Sequence, residues 1–261
     1  DIIVLCGVHF MGETAKILCP DKKVLVPDLN AGCSLADSCP ATEFAEFVKQ
    51  HPGHTVISYV NTTAAVKAVT DVVVTSTNAR QIVESFPEGT PMIFGPDRNL
   101  GNYINSITGR NMLLWDGACH VHEQFSLEKI LSLKKQYPNA EVITHPECKQ
   151  PVIQVSDFVG STAALLKHTI KSDAKQFIVA TESGVIHEMR KRSPDKEFIP
   201  APPNDSTCAC NECNFMRLNT MEKLYNCLKF EMPEIFVDEE VQKKAIKPIK
   251  KMLEISEKLG L

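Results

Sequence analysis

Short apolar runs alternate with amphipathic stretches along the whole chain. Val56-Ile57-Ser58-Tyr59-Val60-Asn61 and Asp71-Val72-Val73-Val74-Thr75-Ser76-Thr77 read as buried strands, each leading into a polar loop and a helical pattern. The same order recurs in Val142-Ile143-Thr144-His145-Pro146-Glu147 and Asp157-Phe158-Val159-Gly160-Ser161-Thr162. From Tyr59 to Ser76 is 17 steps and from His145 to Ser161 is 16, so the copies stay nearly in register. A second half-unit (strand, helix, strand, Cys loop) occurs three times, from Ile3 to Cys33, Met92 to Cys119 and Phe177 to Cys213. Phe94-Gly95-Pro96-Asp97-Arg98-Asn99-Leu100 carries too little glycine for a phosphate loop and is expected to be a strand-to-helix turn.

After each Cys loop the pattern predicts a helix with a hydroxyl and an acid near its start, at Thr42-Glu43, Ser126-Leu127-Glu128 and Thr220-Met221-Glu222. These helices stop ahead of Pro52, Pro138 and Pro233. Cys33 and Cys119 each stand 19 residues before their proline; in the third copy Cys213, at 20, is the equivalent, ahead of Cys210 at 23 and Cys208 at 25.

Such alternation predicts an α/β fold: three similar α-β-α units with small parallel sheets around a pseudo-threefold axis. The units are expected at 1–49 (with 234–261), 50–137 and 138–233. A single TIM barrel fits the copy number poorly. By the repeat spacing the first unit is truncated at the N-terminus, its first half-unit belonging about 33 to 40 residues before Asp1.

Composition narrows the function. With 43% hydrophobic and 23% charged residues and a net charge of -4, disorder is excluded, and no apolar run reaches the ~20 residues of a membrane span. Scattered Lys and Arg give no footprint for nucleic acid, so a small-molecule partner is expected, with neither nucleic acid nor membrane. Ten cysteines without a signal-peptide pattern read as thiols or metal ligands of a cytoplasmic protein.

The repeat selects Cys33, Cys119 and Cys213. Three thiolates and one open position suit zinc with a water, or a 4Fe-4S cluster with one open iron. Cys6, Cys19, Cys39, Cys148 and Cys227 lack counterparts and are assigned to packing. His120 and His122 beside Cys119 are candidate supporting donors, and His120 a competing ligand. His145-Pro146-Glu147, at a strand end, offers an imidazole and a carboxylate for acid/base work or ligand orientation; capping of nearby backbone is the plain alternative. Tyr59-Val60-Asn61 holds the matching place. Ser76-Thr77 and Ser161-Thr162 are expected to open helices, as simple caps or as anion sites. The basic face at Lys243, Lys244, Lys247, Lys250 and Lys251 reads as solvated charge.

With Ala31-Gly32-Cys33, Tyr59-Val60-Asn61, Thr75-Ser76-Thr77-Asn78-Ala79, Phe94-Gly95-Pro96-Asp97-Arg98-Asn99-Leu100, the Cys119 loop, His145-Pro146-Glu147-Cys148, Gly160-Ser161-Thr162 and the Cys213 loop in this order, the chain resembles the quinolinate synthase family of NAD biosynthesis. The resemblance implies a triangular three-domain enzyme with a 4Fe-4S cluster on Cys33, Cys119 and Cys213. It also implies condensation of iminoaspartate with dihydroxyacetone phosphate to quinolinate, phosphate and water, and functional coupling to L-aspartate oxidase. Tyr59, Glu147 and His145 would be catalytic. Substrate would meet Tyr59, Val60, Asn61, Ser76, His145, Pro146, Glu147, Ser161 and Thr162. The family's N-terminal His-x-Tyr motif and Asp-Ser pair have no counterpart in this chain, whose own Asp37-Ser38 and Asp205-Ser206 lie in Cys loops, and the Cys208, Cys210, Cys213 loop is a variant. Two alternatives stand beside this reading: another triangular three-cysteine iron-sulfur enzyme of the diphthamide-synthesis type, and a non-catalytic zinc-stabilised binding protein.

Overall fold

The computed structural model describes residues 1–205 and 211–261; Cys208 and Cys210 lie outside the described residues. The chain runs β1 (Ile2–Val4), α1 (His9–Leu18), β2 (Lys23–Leu25), α2 (Ser34–Asp37), α3 (Ala41–Lys49), β3 (Thr55–Tyr59), α4 (Ala64–Lys67), β4 (Val72–Val74), α5 (Ala79–Glu84), β5 (Met92–Gly95), α6 (Arg98–Thr108) and β6 (Leu113–Leu114). It continues through α7 (His120–Glu123), α8 (Leu127–Gln136), β7 (Glu141–Thr144), α9 (Gln150–Gln154), β8 (Phe158–Val159), α10 (Thr162–Lys171), β9 (Gln176–Ala180), α11 (Val185–Arg192) and β10 (Glu197–Pro200). α12 (Met221–Phe230) and α13 (Glu239–Lys258) close it.

The strands form three small sheets, ordered β1-β2, β4-β3-β5-β6 and β10-β9-β7-β8. Among the described residues every pairing between these strands is parallel. Separate sheets flanked by helices are the expected α/β architecture and rule out a single closed barrel. Val72, Val73 and Val74 are fully buried, the continuous apolar run of a strand covered on both faces.

Two compact units contain these sheets, one built from residues 1–117 with 214–261 and holding the first two, the other from 118–213 and holding the third. In the first unit Cys39, Phe44, Val56, Val66 and Ile93 form one cluster, and Val24, Val26 and Ile235 another. α13 packs on α4 and β4. In the second unit Ile130, Val142, Cys148 and Ile178 fill one cluster, and Ile143, Leu165, Phe177 and Met189 another.

The four-stranded sheets repeat down to single hydrogen bonds. Asp71 Oδ2 accepts from Val56 N at 2.8 Å, and Asp157 Oδ2 from Val142 N at 2.8 Å. The hydroxyls of Ser58 and Thr70 pair at 2.8 Å, those of Thr144 and Ser156 at 2.5 Å. Each match, like Tyr59 with His145, is 86 residues apart. That register corrects the sequence alignment by one position: Ile57 pairs with Val72 and Ile143 with Phe158, which sets Thr75 opposite Ser161 and Ser76 opposite Thr162.

Helix starts differ from expectation in two places. The hydroxyls of Ser126 and Thr220 cap α8 and α12, accepting from Lys129 N and Lys223 N. α3 instead begins one residue ahead of Thr42, with Pro40 at the cap position and no side-chain cap. Ser76 does not open a helix: Asn78 Oδ1 accepts from the N–H and hydroxyl of Thr75 at 2.7 and 2.9 Å, closing a turn, and α5 starts at Ala79. Asn outcompetes the serine because its side chain reaches back to the turn backbone.

Candidate functional site

Parallel strands deliver their C-terminal residues to one edge, where the following loops carry the chemistry. In the first unit β3 ends on Tyr59, which is 5% exposed and lies between fully buried sheet positions and the loop Val60-Asn61-Thr62. Two bonds tie the loop to the sheet and to itself. Val60 N donates to Val74 O at 2.8 Å, and the Thr62 hydroxyl donates to Tyr59 O at 2.8 Å. Ser76 is half-buried in the turn after β4. Cys33 is half-buried and is the N-cap residue of α2, three residues after Asn30 N is held by Asp28 Oδ1.

In the second unit β7 leads into His145-Pro146-Glu147. His145 and Glu147 are each 3% exposed, far more buried than loop residues usually are. The Glu147 N–H donates to His145 Nδ1 at 3.3 Å. Nδ1 is therefore an acceptor, and the ring proton belongs on Nε2. Burial, countered in part by the Glu147 charge, lowers the His145 pKa to about 4, which keeps the ring neutral.

His122 completes the cluster. Its ring stacks on His145 at 4.8 Å, its Nδ1 lies 3.1 Å from Glu147 Oε2, and its Nε2 is 3.1 Å from the Thr181 hydroxyl. The Nδ1 contact is short but off-line, so this buried atom has no hydrogen-bond partner among the described residues. Donor atoms of Cys119, His122 and Glu147 all lie within 4.8 Å of one another. A half-buried thiol converging with a buried carboxylate and an orphaned, buried imidazole nitrogen, the imidazole held from behind by a hydroxyl, fits a thiophilic cation.

Of the two histidines flagged beside Cys119, then, the buried His122 and not His120 faces the site; His120 is exposed, with its ring against Gln124 Nε2 at 2.7 Å. Sequence spacing could not separate them, because one turn of a short helix decides which ring points inward. Ser161 caps α10, accepting from Ala164 N at 3.3 Å, and is buried, whereas Thr162 is exposed. Cys119 is the N-cap residue of α7, the position Cys33 holds before α2. Cys213 is half-buried, its N–H donating to Glu182 Oε1 at 3.3 Å. By contrast Cys39, Cys148 and Cys227 are buried, as packing requires, while Cys6 is exposed and Cys19 only half-buried, so packing does not account for those two. Thr181 carried no signal in the sequence. Nor did Lys67, fully buried at the end of α4; the one available hint was a single Lys in the run Ala64-Ala65-Val66-Lys67-Ala68-Val69.

Residues 1–254 match the profile of the quinolinate synthetase A protein family. The chain is 57% identical to the quinolinate synthase of Thermosynechococcus vestitus over 256 residues, covering 98% of this chain and 80% of that protein. The quinolinate synthases of Chloroherpeton thalassium and Nostoc punctiforme are also 57% identical, over 80% and 79% of their lengths.

Proposed function

The chain belongs to the quinolinate synthetase A family, and from that premise we propose that it makes quinolinate for NAD biosynthesis by condensing iminoaspartate with dihydroxyacetone phosphate, releasing phosphate and water. The observation that carries the reading is the set of half-buried Cys119 with buried His122 and Glu147, beside a neutral His145, a place that offers both metal ligation and proton transfer.

Cys33, Cys119 and Cys213 would hold a 4Fe-4S cluster. With one iron left open the cluster supplies Lewis acidity, which helps a poor leaving group such as hydroxide depart. The chain's own side chains do the rest. Neutral His145 presents Nε2–H as a donor to a carbonyl or carboxylate oxygen. Glu147, held by its own backbone N–H to His145 and flanked by His122, takes and returns protons. Tyr59 serves as a second proton-transfer group, and Asn61 binds a substrate oxygen. Val60 and Pro146 set the backbone of the two loops. Ser161, Thr162 and the turn at Ser76 present hydroxyls and N–H groups to anionic parts of the substrates. Burial of His145 and Glu147 excludes water, which protects hydrolysable imine and enol species.

Production of iminoaspartate by an L-aspartate oxidase would feed the reaction, and cytoplasmic location accords with reduced thiols. Among the described residues no helix is long and apolar enough to cross a membrane. The test is an anaerobic assay of quinolinate from the two substrates with the full-length protein; product formation supports the reading, and its absence from cluster-loaded protein rejects it. The same Cys-His-Glu donors also suit a single zinc ion, which iron and acid-labile sulfide analysis distinguishes. Family membership disfavours the diphthamide-synthesis alternative.

A further inference from the structure

Lys67 has no exposed surface, although a long cationic side chain is among the least often buried. Its Nζ donates to Val60 O at 2.9 Å and to Thr62 O at 2.5 Å, the two carbonyls on either side of Asn61. The Phe10 ring lies below it, 5.7 Å from Nζ to the centroid. Glu13 Oε2, one turn further along α1, accepts from Ala64 N at 2.9 Å and so ties the start of the same short helix. Burying an amine costs free energy that only well-made hydrogen bonds offset. Here those bonds all go to one loop.

The repeat explains why this loop needs such a tie. At the matching place in the second unit, 86 residues on, the loop is His145-Pro146-Glu147-Cys148 and the counterpart of Lys67 is Ile153. Pro146 restricts that loop by its ring, Cys148 N donates to His145 O at 3.0 Å, and the Cys148 thiol donates to Ala180 O at 3.4 Å. The first-unit loop has neither the proline nor the cysteine. Both loops close on themselves, through the Thr62 hydroxyl to Tyr59 O in one and Cys148 N to His145 O in the other; beyond that, one is stiffened by its proline and the other from below by Lys67.

We propose that Lys67 is a positioning residue: by holding the carbonyls of Val60 and Thr62 it fixes the backbone that presents Asn61 to substrate. Charged or neutral, the amine keeps the two N–H groups this task needs. The substrate part of the inference rests on the proposed quinolinate synthesis; the loop-holding part does not.

The experiment uses the full-length holoenzyme with Lys67→Met, which keeps the stem and removes the donors, and Lys67→Gln, which keeps an NH2 group. We expect KM for iminoaspartate to rise ~10-fold or more in Lys67→Met with kcat within about threefold, and an intermediate rise in Lys67→Gln. Iron and sulfide content should stay at the wild-type level. Hydrogen–deuterium exchange should quicken in residues 59–63 and not in β5. A fall in kcat at unchanged KM marks a lysine that merely supports folding and overturns the inference, as do unchanged kinetics. If the wild type makes no quinolinate, the functional reading fails by itself, and exchange in 59–63 then decides for Lys67: no change in Lys67→Met overturns its role. Should Lys67→Met not fold, the KM of Lys67→Gln carries the test, and failure of both to fold also overturns it.

Discussion

Glu147 and His145 are a carboxylate and an imidazole placed almost out of reach of water, and each is held by the other's backbone or ring. If Glu147 moves protons, Glu147→Gln should lower kcat by ~10²-fold or more while leaving cluster content intact. A glutamine enzyme with wild-type kcat would remove Glu147 from that role. His145 makes a second prediction through stability. Its folded pKa of about 4 lies below the ordinary 6.5, so the fold favours the neutral ring and binds fewer protons than the unfolded chain between those values. The contribution is complete above pH 6.5 and is lost as pH falls toward 4, amounting to about 2 kcal/mol by pH 5. Urea denaturation at pH 7.5 and pH 5 should show the wild type losing that much relative to His145→Gln. Parallel losses in both proteins would show that His145 is not the group that titrates.

Among the elements, the strands and their grouping into small parallel sheets were legible because fully buried parallel strands write themselves as β-branched runs, Val72-Val73-Val74 being the plainest, whereas the order of strands within each sheet came only from the structure. Asp97 was legible as a turn residue, and it caps α6, accepting from Asn99 N at 2.7 Å and Leu100 N at 2.9 Å. Alignment between copies slipped by one residue at Ser76, since hydroxyls at Thr75, Ser76 and Thr77 are interchangeable on paper, and only strand pairing fixes the register. The matched bonds from Asp71 and Asp157 predict matched losses: Asp71→Ala and Asp157→Ala should each cost about 1.5–3 kcal/mol, since each leaves a strand N–H without its charged acceptor. Equilibrium urea curves check this, and a neutral effect at either site would deny that element its shared anchor. At the end of β5 the space a Cβ would need beside Gly95 is taken by the Phe44 ring, although the matching Ala180 carries one. Gly95→Ala should therefore destabilise by about 1–3 kcal/mol through overpacking, read as a lowered urea midpoint; an unchanged midpoint would mean that Phe44 gives way freely.

For the molecule as a whole, ten cysteines posed the question of which ones carry chemistry. Repeat spacing picked Cys33, Cys119 and Cys213, and all three are half-buried thiols, whereas Cys39 and Cys148 are sealed in cores. The candidate proton-transfer residues were readable from their place after apolar strands. Of their supporting partners, His122 was readable beside Cys119 but not separable from His120, while Thr181 and Lys67 act through burial and through neighbours that no local pattern encodes. Family membership accords with the enzyme reading, and metal content is its most direct test. Iron and acid-labile sulfide should be measured in the full-length protein purified without oxygen, beside Cys119→Ala and Cys148→Ala. The account predicts about four iron and four sulfide per chain in the wild type and in Cys148→Ala, and their loss in Cys119→Ala. A colourless, zinc-loaded wild type, or a Cys119→Ala protein that keeps its full iron and sulfide, would contradict it.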